Sequence, residues 1–299
     1  MSHHHHHHEA SGKNLGITIL LNLIITIAQI IGGIISGSMA LISDATHNFS
    51  DVISLVISWI ANRLSKKEAT EKQTFGKRRS EILAAFFNSS TLIILSVFIL
   101  FEAIQRLLDP KDIKADWVIW LAILSIAVNG LSVLFIHKDA KKNMNMKSAY
   151  LHLFSDMLTS IAVLFGGLAM KYFHWYWVDP VFSIGIAVYL LYMSWDIFRS
   201  SIRILMQYTP KGLDINKVVS EISKIDGVKN MHHVHIWQLN DHDIMFESHV
   251  DLENDMRISD FEKLVPIIEE TLESFNIHHF TLQPEYDTDD DKEVIRNLN

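Results

Sequence analysis

The sequence contains no cysteine and only 5 prolines among 299 residues. Disulfides and thiolate metal sites are therefore excluded, and any metal site must use His, Asp or Glu, which suit hard or borderline cations. Long apolar runs are absent after residue 210, and basic residues are scarce there, with 8 Lys+Arg against 20 Asp+Glu in residues 210–299. Such an acidic segment argues against a nucleic-acid partner and against docking on anionic lipid. It either concentrates cations or simply keeps the segment soluble.

The earlier part of the chain contains six apolar segments that reach or approach the length of about 20 residues needed for a membrane helix. They cover residues 15–35, 39–60, 82–103, 117–136, 149–170 and 178–197. The loops at 63–79 and 138–147 are basic, whereas the loop between the third and fourth segments has balanced charges. Basic loops remain in the cytoplasm, so we predict six membrane spans with both termini cytoplasmic.

Two of these segments carry an imidazole and a carboxylate four residues apart. His47 and Asp51 lie in the second segment, and His152 and Asp156 lie in the fifth. Residues at i and i+4 share a helix face, so each helix would present one nitrogen and one oxygen ligand in one direction. The four groups can close a tetrahedral shell around Zn²⁺. A buried structural polar face is the alternative, but ionisable residues at membrane depth are functional by default.

Asp44 falls on the same helical stripe as His47 and Asp51. Asp44 and Asn48 are therefore candidates to orient the ligands or to conduct protons, although Asn48 is equally compatible with packing. Three glycines near the end of the first span, at positions 32, 33 and 37, predict close helix packing or a tight turn.

The remaining residues divide into a small soluble domain and two terminal segments. Helical periodicity covers residues 215–225 and 261–272, and strand-like alternation covers 231–239, 244–251 and 280–284. This αββαβ order predicts an open, ferredoxin-like α+β domain over residues 206–286, after a membrane domain at 13–205. The acidic residues 287–299 predict a disordered tail. Residues 1–12 are either an affinity tag with a linker or a metal-collecting arm.

The soluble domain contains most of the histidines outside the N-terminal run: His232, His233, His235, His242, His249, His278 and His279. Strand alternation would place His233 and His235 on the face opposite to His232, so these histidines cannot all serve one site. A regulatory metal site and a structural or pH-dependent role both remain open.

Several motifs together resemble the cation diffusion facilitator family over nearly the whole chain. They are SDATHNFSD in span two, TFGKRRSEILAAFFN before span three, HLFSDMLTS in span five, VDPVFS at span six, and HHVHIW with HHFTLQPE in the tail. The paired His-Asp motifs are similar to the zinc-exporting branch of bacterial type. The resemblance implies a homodimer in the bacterial inner membrane that exchanges cytoplasmic metal for external protons. Zn²⁺ is the expected substrate, with Cd²⁺, Co²⁺ or Fe²⁺ as alternatives.

The same resemblance assigns residues to two metal sites. The transport site passes to His47, Asp51, His152 and Asp156, and a cytoplasmic, regulatory Zn²⁺ site passes to His232, His249 and Glu285. Two departures stand out. The loop at 63–79 contains no histidine or aspartate, so the extra loop site of some relatives is expected to be absent. Gln283 stands where a stronger cytoplasmic ligand is expected.

Two other functions compete with a secondary transporter. An intramembrane metal hydrolase would need an open coordination position and a general base, commonly as HExxH, and that motif does not occur. A membrane-tethered metal sensor would use the spans only as anchors for the histidine-rich domain. That interpretation leaves the four ionisable residues inside the membrane without a role.

Overall fold

The computed structural model describes residues 8–109, 112–140 and 144–295. Side chains are described within these ranges except at 8–19, 51, 54–55, 58–59, 62, 135–140 and 144–152. Most of the N-terminal histidine run and residues 296–299 therefore lie outside the described part. The chain divides into two compact units. The first, here called the membrane unit, comprises the described residues up to Trp59 together with Phe87–Ile197. The second comprises Ile60–Phe86 and the described residues from Phe198 onward.

Each of the six segments predicted to span the membrane is a long helix. The helices are α1 (His8–Ser36), α2 (Met39–Ser65), α3 (Ser80–Leu108), α4 (Ala115–Ala140), α5 (Met144–Phe173) and α6 (Val178–Leu205). Within the described residues, α3 to α6 contain stretches long and apolar enough to cross a bilayer, while the apolar stretch of α1, Leu20–Ser36, is shorter. The helical membrane domain is therefore as predicted.

Two glycines bring α1 close to its neighbours. A Cβ atom at Gly32 would lie 1.9 Å from Leu121 Cδ1 of α4, and one at Gly33 would lie 2.7 Å from Ile42 Cγ1 of α2. A larger residue at either position would displace the Leu121 or Ile42 side chain that packs there, which confirms the packing role predicted for this part of α1.

The start of α2 is fixed by a side chain from α6. The carboxylate of Asp179 accepts hydrogen bonds from the backbone N–H groups of Met39, at 2.7 Å, and Ala40, at 3.3 Å. It also accepts one from the hydroxyl of Ser38. Unsatisfied N–H groups and the positive end of the helix dipole both favour a carboxylate at this position. Asp179 thus caps α2 from another helix.

The soluble domain has the predicted αββαβ order. Its elements are α7 (Ile215–Ile222), β1 (Val228–Gln238), β2 (Ile244–Leu252), α8 (Ile258–Glu273) and β3 (His279–Glu285). The strand order is β1-β2-β3, with β1 antiparallel and β3 parallel to β2. Residues from both helices and from the sheet form one core, which includes Ile222, Met231, Phe246 and Ile268.

Strand β1 departs from regular alternation in the middle of its histidine motif. The register with β2 shifts between His232 and His235, and His233 has a left-handed φ of 52°. His232 pairs with His249 and His235 pairs with Glu247, so β1 has one extra residue between these two pairs, which is a β-bulge and re-aims side chains. The predicted separation of His232 from His233 was therefore wrong. The rings of both approach His249, with centroids at 5.3 and 4.6 Å.

The chain after β3 returns to the sheet. The backbone N–H groups of His233 and Val234 donate to the carbonyls of Glu293, at 3.2 Å, and Val294, at 2.8 Å. Val294 also packs against the apolar core. Residues 286–295 are here called the C-terminal strap. Residues 287–295 were expected to be disordered, and the structure instead attaches this segment to β1. An acidic composition alone does not reveal these contacts.

The core of the soluble domain provides a stability test within one helix. Ile268 is fully buried and Ile258 is 76% exposed, and both lie in α8. Ile268→Ala should destabilise the domain by about 2 to 5 kcal/mol, because it removes buried methyl groups and leaves a cavity. Hydrogen exchange of the α8 and β1 amides in the full chain measures the loss. Ile258→Ala should change exchange by less than about 0.5 kcal/mol, and equal effects would contradict the packing.

Candidate metal sites

One histidine and one carboxylate from the predicted transport site lie close together inside the membrane unit. His47 Nε2 of α2 lies 3.7 Å from Asp156 Oδ1 of α5, and Asp156 is almost completely buried. Asp51 and His152 lie one helical turn from these residues along α2 and α5. Their side chains are outside the described residues. The structure therefore brings together one member of each predicted pair, and the assignment of all four residues as metal ligands remains a prediction.

A buried hydrogen-bond network surrounds Asp44, one turn before His47. Gln29 of α1 donates from Nε2 to Asp44 Oδ2 at 2.7 Å, and the Thr159 hydroxyl of α5 donates to Oδ1 at 3.3 Å. Asn48 in turn donates to Gln29 Oε1 at 3.4 Å. The carboxylate of Asp44 therefore joins three helices. Its observed contacts suit a residue that positions α2 and α5 more than a metal ligand.

The sequence pattern did not single out Gln29 or Thr159. Both could have been suspected from position alone. Gln29 is an amide within the apolar stretch of α1, where such a group normally finds a partner on another helix. Thr159 follows Asp156 by three residues and so shares its face.

A second cluster of ligand atoms lies in the soluble domain. His232, His249, Glu285 and Asp290 each offer one nitrogen or oxygen, and these four atoms lie within 4.8 Å of one another. The sheet explains the arrangement, since His232 pairs with His249 across β1 and β2, and Glu285 ends the adjacent strand β3. Two imidazoles and two carboxylates are a donor set that fits tetrahedral Zn²⁺.

The neighbours of this cluster favour metal binding through one particular nitrogen. His232 is fully buried, and its Nδ1 lies 3.1 Å from Asp251 Oδ2. Its Nε2 faces Glu285 at 3.5 Å and Asp290 at 3.2 Å. With Asp251 beside Nδ1, Nε2 is the nitrogen that faces the other candidate ligands, and a carboxylate beside the non-ligating nitrogen is usual at metal sites.

Three of the cluster residues were predicted, and Asp290 was not, because it belongs to the strap that was expected to be disordered. Its pKa is lowered from the usual value, chiefly by a hydrogen bond from Lys292. Gln283 is also explained. Its Nε2 donates to Glu285 Oε1 at 3.0 Å, so it holds a candidate ligand in place of serving as one.

The chain matches known proteins over both units. Residues 15–206 match the family model described as the cation efflux transmembrane domain, and residues 210–287 match the cytoplasmic domain of cation efflux proteins. The chain belongs to the cation diffusion facilitator family. Members of this family are transporters, so the alternative of an intramembrane hydrolase is wrong.

Three bacterial relatives illustrate the family. The chain is 35% identical to the cadmium, cobalt and zinc/H⁺-K⁺ antiporter of Bacillus subtilis, covering 94% of this chain and 91% of that protein. It is 32% identical to the metal cation efflux system protein CzcD of Cupriavidus metallidurans, covering 94% and 89%. It is also 32% identical to the zinc transporter ZitB of Pectobacterium atrosepticum, covering 97% and 91%.

The network around Asp44 can be tested on α1. Gln29→Met keeps the side-chain volume but removes the donor to a buried carboxylate, so it should destabilise the protein by about 1 to 3 kcal/mol. Thermal unfolding of the purified full chain in detergent should show a lower midpoint. Asn22→Leu is the control, because Asn22 is buried on the same helix and its Oδ1 makes no hydrogen bond with the described residues. A control that loses as much stability would contradict the special role of Gln29.

Proposed function

We propose that this protein exports divalent metal cations from the cytoplasm in exchange for protons, with Zn²⁺ as the principal substrate and Cd²⁺, Co²⁺ or Fe²⁺ as alternatives. The approach of His47 to Asp156, from two helices of the membrane unit, carries the proposal. An imidazole and a buried carboxylate in hydrocarbon surroundings are costly. Binding and releasing a metal ion is a function that accounts for two such residues at this depth.

The complete transport site consists of His47, Asp51, His152 and Asp156. The i, i+4 spacing on α2 and α5 supports it, since each helix then contributes one nitrogen and one oxygen from one face. The two carboxylates neutralise a divalent charge, and four ligands fill a tetrahedral shell. Asp44 of α2 accepts hydrogen bonds from α1 and α5, and these bonds hold the ligand-bearing helices α2 and α5 together near the site.

Exchange for protons follows from the ligands. Metal binding requires deprotonated carboxylates and neutral imidazoles, so each ion that binds displaces protons. Histidine is suited to the exchange because its unperturbed pKa is about 6.5, close to working pH. A site open to a more acidic exterior gains protons and releases the metal, and a site open to the cytoplasm loses protons and rebinds metal.

The protein works as a homodimer in the bacterial inner membrane, with both termini in the cytoplasm. The basic loops at 63–79 and 138–147 support this orientation through the positive-inside rule, although residues 141–143 lie outside the described part. The bacterial origin of the relatives supports the location.

The cytoplasmic cluster binds a regulatory Zn²⁺ through His232, His249, Glu285 and Asp290. The short separations of its ligand atoms support this second site, as does the contact between Asp251 and His232. Because the cluster lies outside the membrane unit, its metal reports the cytoplasmic concentration and is not itself transported.

The transport proposal predicts the effect of one neutral substitution. In sealed proteoliposomes, zinc should move toward the more acidic compartment, and Asp156→Asn should reduce this flux by about two orders of magnitude, because it removes a charged ligand. Asp116→Asn is the control. Asp116 is an exposed carboxylate of the same unit, paired with Lys171 at 2.7 Å, and its loss should leave flux nearly unchanged.

The alternative of a membrane-tethered sensor is decided by the same assay. Folded Asp156→Asn protein that transports zinc as fast as Asp116→Asn would contradict the transport site. Flux that ignores the direction of the pH gradient would contradict proton exchange.

The regulatory site predicts a difference in zinc stoichiometry. His249→Ala should bind one Zn²⁺ fewer per chain than His242→Ala in equilibrium dialysis of the full chain, because His249 is in the cluster and His242 lies in the exposed β1–β2 turn. The N-terminal histidine run is present in both variants, so its own zinc binding cancels. Equal stoichiometry would show that the cluster does not hold zinc.

A further inference from the structure

A lysine of the C-terminal strap reaches the carboxylates of the cytoplasmic cluster. Lys292 Nζ lies 2.8 Å from Asp251 Oδ1 and 3.5 Å from Glu285 Oε2, and it also contacts Asp290. Glu285 and Asp290 are candidate metal ligands, and Asp251 contacts the ligand His232. One ammonium group therefore touches three carboxylates that belong to the site or support it.

The strap holds Lys292 in this position through contacts on its C-terminal side. The strap carbonyls of Glu293 and Val294 accept hydrogen bonds from β1, and the Val294 side chain packs against the core. Lys292 is thus placed between Asp290, which faces the cluster, and a segment paired to β1. The contact does not depend on the lysine side chain alone.

Charge explains why a cation is needed there. Asp251 and Glu285 are less than a tenth exposed, and buried carboxylates are unfavourable unless a positive group or a metal compensates them. Without metal, Lys292 supplies positive charge to three carboxylates. A divalent cation held by Glu285 and Asp290 would supply more charge to the same oxygens, and two cations in contact with the same oxygens repel each other.

We propose that Lys292 is a built-in competitor of the cytoplasmic metal: its ammonium and the divalent cation neutralise the same carboxylates, so the metal binds by displacing Lys292. This inference rests on the regulatory site proposed above. The competition weakens the affinity of the cluster for the metal, and it therefore raises the zinc concentration at which the cytoplasmic site becomes occupied. The strap is then part of the metal site, both through Asp290 as a ligand and through Lys292 as the competing cation.

The test compares lysine variants of the full chain in detergent, titrated with Zn²⁺ against a chromophoric chelator. Lys292→Met removes the charge and keeps an unbranched side chain, so the cytoplasmic ion should bind about tenfold tighter. Lys292→Arg keeps the charge and should bind as weakly as the unmodified chain. Lys263→Met is the control, because Lys263 is exposed and pairs only with Asp260, at 2.7 Å, among the contacts of the described residues. Unchanged or weaker binding by Lys292→Met would overturn the competition.

Thermal unfolding separates competition from a purely structural role. Without zinc, Lys292→Met should unfold at a lower temperature, because its carboxylates then lack a cation. Added zinc should raise the midpoint of this variant more than that of the unmodified chain, since at a given zinc concentration a tighter-binding ligand stabilises the folded state more. An equal rise in both proteins would overturn the proposal.

The outcome for His249→Ala distinguishes the two proposals. If that variant retains every zinc ion, the regulatory site and the competition both fall. If it loses one ion while Lys292→Met binds zinc with unchanged affinity, the regulatory site stands and only the competition is overturned.

Discussion

The cost of burying carboxylates governs both units of this protein. Asp44 and Asp156 are each only 2% exposed within an apolar bundle of helices, where an uncompensated charge would be expensive. Asp44 is compensated by donors from α1 and α5, and Asp156 faces the imidazole of His47. Because the donors to Asp44 come from α1 and α5, satisfying this carboxylate also fixes how those helices pack against α2. The helix arrangement and the candidate site therefore have one physical origin.

The soluble domain meets the same requirement with different means. Its sheet places His232 opposite His249, but regular alternation would have separated the neighbouring histidines, and the bulge at His233 changes that geometry. The parallel pairing of β2 and β3 then sets Glu285 beside Asp251. Two acidic side chains at the end of adjacent strands require a nearby cation. The strap meets this requirement with Lys292, so the tail of the chain completes the domain.

The sequence alone predicted the features that depend on periodicity. Six apolar segments, the αββαβ order and the equal spacing of the two His-Asp pairs are all local patterns, and the helices and strands follow them. The features it did not predict depend on contacts between distant residues. Asp179 caps α2 from α6, Gln29 reaches Asp44 from α1, and Asp290 joins a cluster from a segment whose acidic composition suggested disorder. No local pattern encodes such partners. The bulge in β1 similarly overrides the alternation that the sequence suggests.

The absence of cysteine connects the chemistry of the two candidate sites. Thiolate ligands bind zinc tightly and would keep it in a site whose task is to release it. Imidazole and carboxylate ligands instead lose metal when they gain protons, and the imidazole does so near neutral pH. A transporter built from His and Asp can therefore use a proton gradient to empty its site. The cytoplasmic cluster uses the same ligand types, and it adds a lysine within reach of its oxygens. Under the two proposals, another cation opposes the metal at each site, a proton at the transport site and an ammonium group at the cytoplasmic cluster. Reversible occupancy, more than maximal affinity, is the property that this choice of residues favours.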